Sequence, residues 1–383
     1  MRKVLAIFLA AVLFLDIICL GVIFFTRDTS NKNGKNGVFD RAVIMAAGNN
    51  VITDKIISQA AAGNVAGGYS FDPLYENIAD TLAEADAAII TQESVISSEH
   101  PVSGSYPLFN APYQVADELR RIGFNVMNIA TNHALDYGEQ GLLNTIDFLK
   151  NTEKLSVIGA VADRADASQP VYRTVKGIKI GFVAFTDPVG DKSLPEDSPA
   201  YLCSSADESM IYDAVSTAKQ EADFVIVCPH WGNDYGKDVT PEQRAMAKKL
   251  AEWGADAVIG TNPHELQEME IIDNTDGSTT LVAYSLGNFS YPAEKGEQLL
   301  GGLLSFELVR NTGTNSVTLE NIRMRGVVTH YGMDMSNVRL YMLDEYTNEL
   351  ANVHAVSREN TPDFGLRYLK KLLSDRIDGK FLR

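Results

Sequence analysis

Short apolar runs, each followed by a polar loop and then by helical spacing, recur along most of this chain. Ala42–Met45, Ala87–Ile90, Val126–Ile129 and Phe224–Val227 are too short for helices and predict short buried strands. Helical spacing follows at Leu74–Ala85, Val115–Ile122 and Gly141–Lys150. Val171–Val175 and Ile178–Phe185 flank Lys176-Gly177, which predicts a hairpin. The next helix is the best marked. Thr240 is its expected N-cap, Pro241 its first residue, Gln243 completes a capping box and Gly254 ends it. Ala257–Ile259 then returns to the sheet. Glu268–Ile272, Thr280–Tyr284, Leu303–Val309 and Val317–Met324 read as further strands, antiparallel late in the chain, and Phe364–Ile377 as a terminal helix. This alternation implies an α/β domain of sheets flanked by helices.

The N-terminal stretch differs. Val4–Phe25 is an apolar run of bilayer-spanning length, preceded by Arg2 and Lys3. A cleaved signal peptide is the competing interpretation, but Phe24-Phe25-Thr26 offers no small-residue cleavage site, and Ile18 before Cys19 does not suit lipoprotein processing. The expectation is an uncleaved signal anchor with the rest of the chain extracellular. Asp16 within it either pairs with a partner helix or is tolerated. The expected organisation is a cytoplasmic tip and transmembrane anchor (1–28), a flexible Gly/Asn-rich tether (29–40), one domain (41–330) and a C-terminal extension of that domain (331–383).

Charge and cysteine content narrow the partners. A formal net charge of −17 lacks the basic footprint that nucleic acid requires. Of three cysteines, Cys19 falls in the anchor and Cys228 ends an apolar run, so a free buried thiol is expected rather than a disulfide.

The candidate chemistry lies just past the apolar runs, where open α/β sheets place their ligands. Glu93, Asn132, His133, His230 and His264 all sit there, and three of the six histidines belong to these segments. Carboxylates, imidazoles and an amide oxygen converging from several loops are what a two-metal hydrolase needs.

Several long segments resemble the capsule-synthesis CapA family, associated with poly-γ-glutamate capsule production and similar in fold to the calcineurin-like metallophosphoesterases. They are Ala130-Thr131-Asn132-His133-Ala134-Leu135-Asp136-Tyr137-Gly138, His230-Trp231-Gly232, Gly254–Gly260 and Ala283-Tyr284-Ser285-Leu286-Gly287-Asn288-Phe289. The resemblance covers about Ala42 to Val309. It implies that one metal would use positions 49, 53, 93 and 264, and the other 93, 132, 230 and 262. At these positions the chain departs from the family. Asn49 and Thr53 stand where the family has Asp and His, Thr91 where it has Asn, and Asn262 where it has His. The residual metal ligands would be Glu93, Asn132, His230 and His264. Neutral oxygens do not neutralise a cation as carboxylates do, and a threonine is a poor replacement for an imidazole.

These losses favour a pseudoenzyme: a membrane-anchored extracellular protein binding or scaffolding an envelope polymer of the poly-γ-glutamate type, with other membrane subunits as partners. One alternative is a hydrolase of phosphoester or amide bonds with a single Mn, Zn or Fe ion at a reduced site. Another is an extracellular domain that binds a small anion or solute in the old cleft. Asp54 and Glu265 are carboxylates that either swing into the site or remain ordinary loop residues. His133 either orients a substrate phosphate, acts as a general acid or only hydrogen-bonds within its loop; Trp231 either stacks on a ligand in the cleft or packs beneath the sheet rim, and Asn288 either lines the cleft or caps a turn.

Overall fold

The computed structural model describes residues 39–63, 68–356 and 358–382. The expected anchor, and the tether up to residue 38, lie outside the described residues. Among the described residues no helix is long and apolar enough to cross a membrane.

Strand β1 (Phe39–Asn50) carries apolar residues on both faces. Ala42, Ile44 and Ala46 enter one core, while Met45 and Ala47 enter another. It lies inside an eight-stranded sheet. On one side β2 (Ala87–Gln92), β5 (Val126–Asn128) and β6 (Ser156–Ile158) follow in parallel. On the other side β16 (Leu300–Asn311), β17 (Val317–His330) and β18 (Arg339–Met342) follow antiparallel. Short β15 (Asn288–Ser290) runs parallel to the end of β1. Two small ribbons stand apart, β3 (Ser103–Ser105) with β4 (Leu108–Asn110), and β7 (Ala160–Val161) with β10 (Tyr201–Leu202).

The second sheet has six strands in the order β13 (Met269–Asp273), β14 (Thr279–Ala283), β12 (Ala257–Ile259), β11 (Phe224–His230), β9 (Ile178–Thr186) and β8 (Val171–Val175). Its inner strands are parallel and its two outer pairs antiparallel. The sheets face each other through Ile44, Ala46 and Ile89 from one and Ile180, Phe182 and Ile226 from the other. Helices Glu208–Glu221 and Pro241–Trp253 cover the outer face of the second sheet through Val215, Ala218, Ala247 and Leu250. Helices Gln114–Arg121 and Gly138–Lys150 contribute Leu119, Leu142 and Ile146 to the core on the outer side of the first. This is the expected arrangement of layered sheets flanked by helices. Strands covered on both faces read as unbroken apolar runs, which is why they were visible in the sequence.

Several elements match their sequence signals. The capping box at Thr240 and Gln243 is formed, and Gly254 takes φ +111° to end that helix. The terminal helix runs Leu366–Arg376. Cys203 and Cys228 are free thiols, Cys228 buried. The helix expected over Leu74–Ala85 is instead broken into Asp72–Tyr75, a 3₁₀ turn at Glu76–Ile78, and Ala79–Leu82. Tertiary bonds hold the break, as the Tyr75 hydroxyl donates to Asn50 Oδ1 (2.7 Å) and Asn77 donates to the Leu340 carbonyl (3.3 Å). Helices Asp54–Ala62 and Glu208–Glu221 had no counterpart in the expectation. The second carried a readable signal in the Asp207 cap and the spacing Ile211, Ala214, Val215, Ala218.

Where the C-terminal segment meets β17, His330 and His354 are buried edge to face, with ring centroids 5.0 Å apart. His354 Nε2–H donates to the Thr329 carbonyl (3.1 Å), and its Nδ1 accepts from Val356 N–H (2.9 Å). Both nitrogens are therefore used by the neutral ring. Burial pushes His354 down to about 4, opposed by the Thr329 bond and reinforced by His330 and Arg358. Burial, with Arg339 nearby, also lowers His330. The unfolded chain binds more protons below the ordinary value of 6.5, so this region loses stability as pH falls from about 6.5 towards 4. The drop in thermal midpoint between pH 7 and pH 4.5 should be smaller in His354→Phe than in wild type. An equal drop in both would exclude His354 as a source of acid sensitivity.

Candidate functional site

The parallel strands of both sheets end on one side of the molecule, and the polar loops meet there. Register does much of the positioning: Asn49 pairs with Thr91 on β2 and with Asn288 on β15, and His230 bridges to Thr261. Gly48 allows the chain before β15 to cross the end of β1. A Cβ at position 48 would lie 1.9 Å from the Gly287 carbonyl oxygen, the acceptor for Asn49 N–H (2.9 Å).

At the centre, His264 Nε2 lies 3.3 Å from Glu93 Oε1, and both side chains are buried. His264 Nδ1–H donates to Asn288 Oδ1 (2.8 Å), and the Asn288 amide donates back to the His264 carbonyl (3.0 Å). Burial alone would raise the Glu93 carboxyl. The His264 charge and hydrogen bond, helped by His230 and His133, outweigh it and hold Glu93 below the usual carboxylate range. Burial likewise opposes a charge on His264, but the Glu93 carboxylate and the bond to Asn288 raise it above the usual imidazole value. The two form a buried ion pair. Asn49 lies beside it, its Nδ2 3.2 Å from His264 Nδ1 and its Oδ1 accepting from Asn262 N–H (3.3 Å).

His230 forms a separate, neutral pair. Burial pushes it down to about 3, against the pull of Glu93 and with the repulsion of the other two imidazoles. Its Nε2 meets Asn132 Oδ1 at 3.2 Å and its Nδ1 meets Thr261 Oγ1 at 3.1 Å. Thr261 also meets Thr91 Oγ1 at 3.3 Å, so Thr91 joins the two sheets through hydroxyls.

His133 belongs to a third arrangement. Its Nδ1 lies 2.9 Å from Asp136 Oδ2, which also accepts from Phe109 N–H (2.8 Å), while Lys192 donates to Asp136 Oδ1 (2.5 Å). Burial would raise Asp136, but the bonds from His133 and Lys192 bring it below its ordinary value. An ionised Asp136 keeps the proton of His133 on Nδ1 and orients the ring. Such a pair can hold or deliver a proton at Nε2. Sequence reasoning missed Asp136 as a partner, although it stands three residues after His133 in the same motif.

The remaining candidates are accounted for. Trp231 is 2 % exposed, its indole N–H donates to the Tyr284 carbonyl (2.9 Å), and its ring stacks on Tyr284, so it packs under the rim. Asn288 touches the centre directly through His264. Asp54 is tied to Gly104 N–H and the Ser105 hydroxyl, and Glu265 to Arg376 (3.2 Å), so neither carboxylate joins the site. Thr53 precedes helix Asp54–Ala62 without capping it, and its hydroxyl is buried without a partner. Glu93 Oε2 and Asn262 Oδ1 are likewise buried and unpartnered. Asn262 and His264 both have positive φ, +98° and +59°, in a loop strained as functional loops commonly are.

The donor set does not fit a two-metal centre. Among the described residues no three His, Cys, Asp or Glu side chains form a group able to hold a metal ion. Glu93 faces His264, His230 faces Asn132, and positions 49, 53, 91 and 262 supply only neutral oxygens. One carboxylate does not offset two dications at close range.

Residues 43–292 match the family model described as bacterial capsule synthesis protein PGA_cap. The chain belongs to the PGA_cap family. The PGA biosynthesis protein CapA of Bacillus subtilis (strain 168) is 29% identical over 286 residues, 70% of this chain and 72% of that one. The capsule biosynthesis protein CapA of Bacillus anthracis is 32% identical over 185 residues, 48% of this chain and 44% of that one. Among solved structures, the 5'-nucleotidase precursor from Thermus thermophilus is similar at 14% identity, with a TM-score of 0.45, over 88% of this chain and 58% of that one.

Within this PGA_cap site, truncating one member of the Glu93–His264 pair strands the other in the interior. Glu93→Ala should lower unfolding free energy by about 3 kcal/mol in urea titrations at pH 6, as for other broken buried pairs. A loss near zero would show that the two groups are not a buried ion pair.

Proposed function

We propose that this chain serves the assembly of a poly-γ-glutamate type capsule or envelope polymer as a binding or scaffolding protein, without independent catalysis. The reading is carried by one conjunction: a capsule-synthesis family match spans a strand-end site whose carboxylate faces an imidazole and whose other ligand positions are neutral. In this reading the apolar segment Val4–Phe25 anchors the chain, the described domain is extracellular, and other membrane subunits of the synthesis machinery are its partners.

A second reading, a hydrolase of amide or phosphoester bonds, is favoured by the His133–Asp136 pair. One experiment separates them. Full-length chain in detergent is titrated with poly-γ-glutamate and, separately, assayed on a model phosphodiester and on the polymer with Mn²⁺ or Zn²⁺ present. Polymer binding without turnover is the expected result. Turnover that disappears in both Glu93→Ala and His133→Ala would overturn the scaffold reading in favour of the hydrolase.

A further inference from the structure

The centre of the site is closed off from solvent: Glu93 is 3%, His230 1% and His264 8% exposed. The β3–β4 ribbon lies across it. Strands β1, β2 and β5 are parallel neighbours in that order. The loops carrying Thr53, Glu93 and His133 therefore leave one edge of the sheet side by side, about 4.8 Å apart from strand to strand. The ribbon touches the first and the last of the three. Gly104 packs on the backbone of Thr53 and Asp54, where a Cβ would lie 2.2 Å from Asp54 N and from the Thr53 carbonyl carbon. At the other end the Phe109 ring meets the His133 ring edge to face, with centroids 4.6 Å apart. An element resting on the loops after β1 and after β5 spans the end of β2, which Glu93 follows.

What holds the ribbon is polar and local. Ser103–Asn110 supplies no residue to the three hydrophobic cores, and two short strands without a core are marginal on their own. The outer end is solvated, with Tyr106 85% exposed. Two carboxylates fasten the body. Asp54 accepts from Gly104 N–H (2.7 Å) and from the Ser105 hydroxyl, and Asp136 accepts from Phe109 N–H (2.8 Å). The root is fixed more firmly. The buried Asn110 side chain accepts from Ser97 N–H (2.8 Å) and donates to the carbonyls of Ser97 (2.8 Å), His100 (3.0 Å) and Pro101 (3.2 Å). A firm root and a coreless body held by a few hydrogen bonds describe a segment that opens at low cost. A groove of about 520 Å³ runs beside it, lined by Gly104 and Ser105 and by Tyr235 and Tyr291, whose rings lie 5.5 and 5.9 Å from the His264 ring.

We propose that the β3–β4 ribbon is a lid on the strand-end centre, hinged at Asn110 and latched by Asp54, and that a ligand in the groove reaches the centre when the latch opens. Asp136 also holds His133 and Lys192, whereas both Asp54 oxygens go to the ribbon, so Asp54 is the latch that can be removed without disturbing His133. The lid goes beyond both readings of the function and applies to a polymer segment and to a small ester alike.

Two buried histidines make matched reporters. His230 lies in the centre and His354 in the C-terminal cluster. Burial pushes them down to about 3 and about 4, so both are neutral at pH 7, and both ring nitrogens of each are engaged in hydrogen bonds. Full-length chain in detergent is treated with diethyl pyrocarbonate at pH 7, and carbethoxylation of each histidine is followed by mass spectrometry of its peptide. In Asp54→Ala, which removes two bonds to the ribbon, His230 should react about tenfold faster or more than in wild type, with His354 unchanged. Gly104→Ala should act in the same direction by steric means, since its Cβ cannot seat against Asp54, and it decides alone if Asp54→Ala does not fold. A wild-type rate at His230 in the folded variants would overturn the lid. So would an equal rise at His230 and His354, which would be general loosening of the domain.

Discussion

The buried pair between Glu93 and His264 is the constraint around which the site is arranged. Glu93 follows β2 in the eight-stranded sheet, and His264 follows β12 in the six-stranded one, so their contact joins the ends of the two sheets. It also settles the electrostatics of the neighbourhood. The carboxylate is ionised because an imidazolium faces it, and His230, buried with no carboxylate of its own, stays neutral. A cation centre built on these positions would have to break that pair first.

Neutral groups do the rest of the joining. Asn49 bonds the loop of Asn262, Thr91 meets Thr261, and Asn128 reaches the Cys228 carbonyl at 3.4 Å. Each crosses from one sheet to the other. Asn49 and Asn262, at positions that the family resemblance gives to metal ligands, thus help hold the strand ends together through a hydrogen bond. Three oxygens of the site, on Thr53, Glu93 and Asn262, are buried without a hydrogen-bond partner.

Much of the framework was legible in the chain because burial on both faces writes strands as continuous apolar runs, and capping chemistry writes helix ends as local motifs. The Thr240–Gly254 helix is the clearest case. Two kinds of element escaped. Helix Glu208–Glu221 was overlooked although its Asp207 cap and its apolar spacing are both written locally in the chain. The break after Tyr75 is imposed by Asn50 and Leu340, partners 25 and 263 residues away in sequence, which no local pattern contains.

The same division runs through the site. Strand-end position and residue type were enough to nominate Glu93, Asn132, His133, His230 and His264, whereas Asn49, Thr53 and Asn262 stood out as weak ligands only through the family resemblance, which marked their positions. Which group meets which is another matter. That His264 faces Glu93, that His133 leans on Asp136 and Lys192, that Trp231 is packed under the rim, and that Tyr235 and Tyr291 open a groove beside His264 all depend on sheet register and loop crossings. Those distances are set by residues far apart in the chain, and only the folded structure brings them within a hydrogen bond of one another.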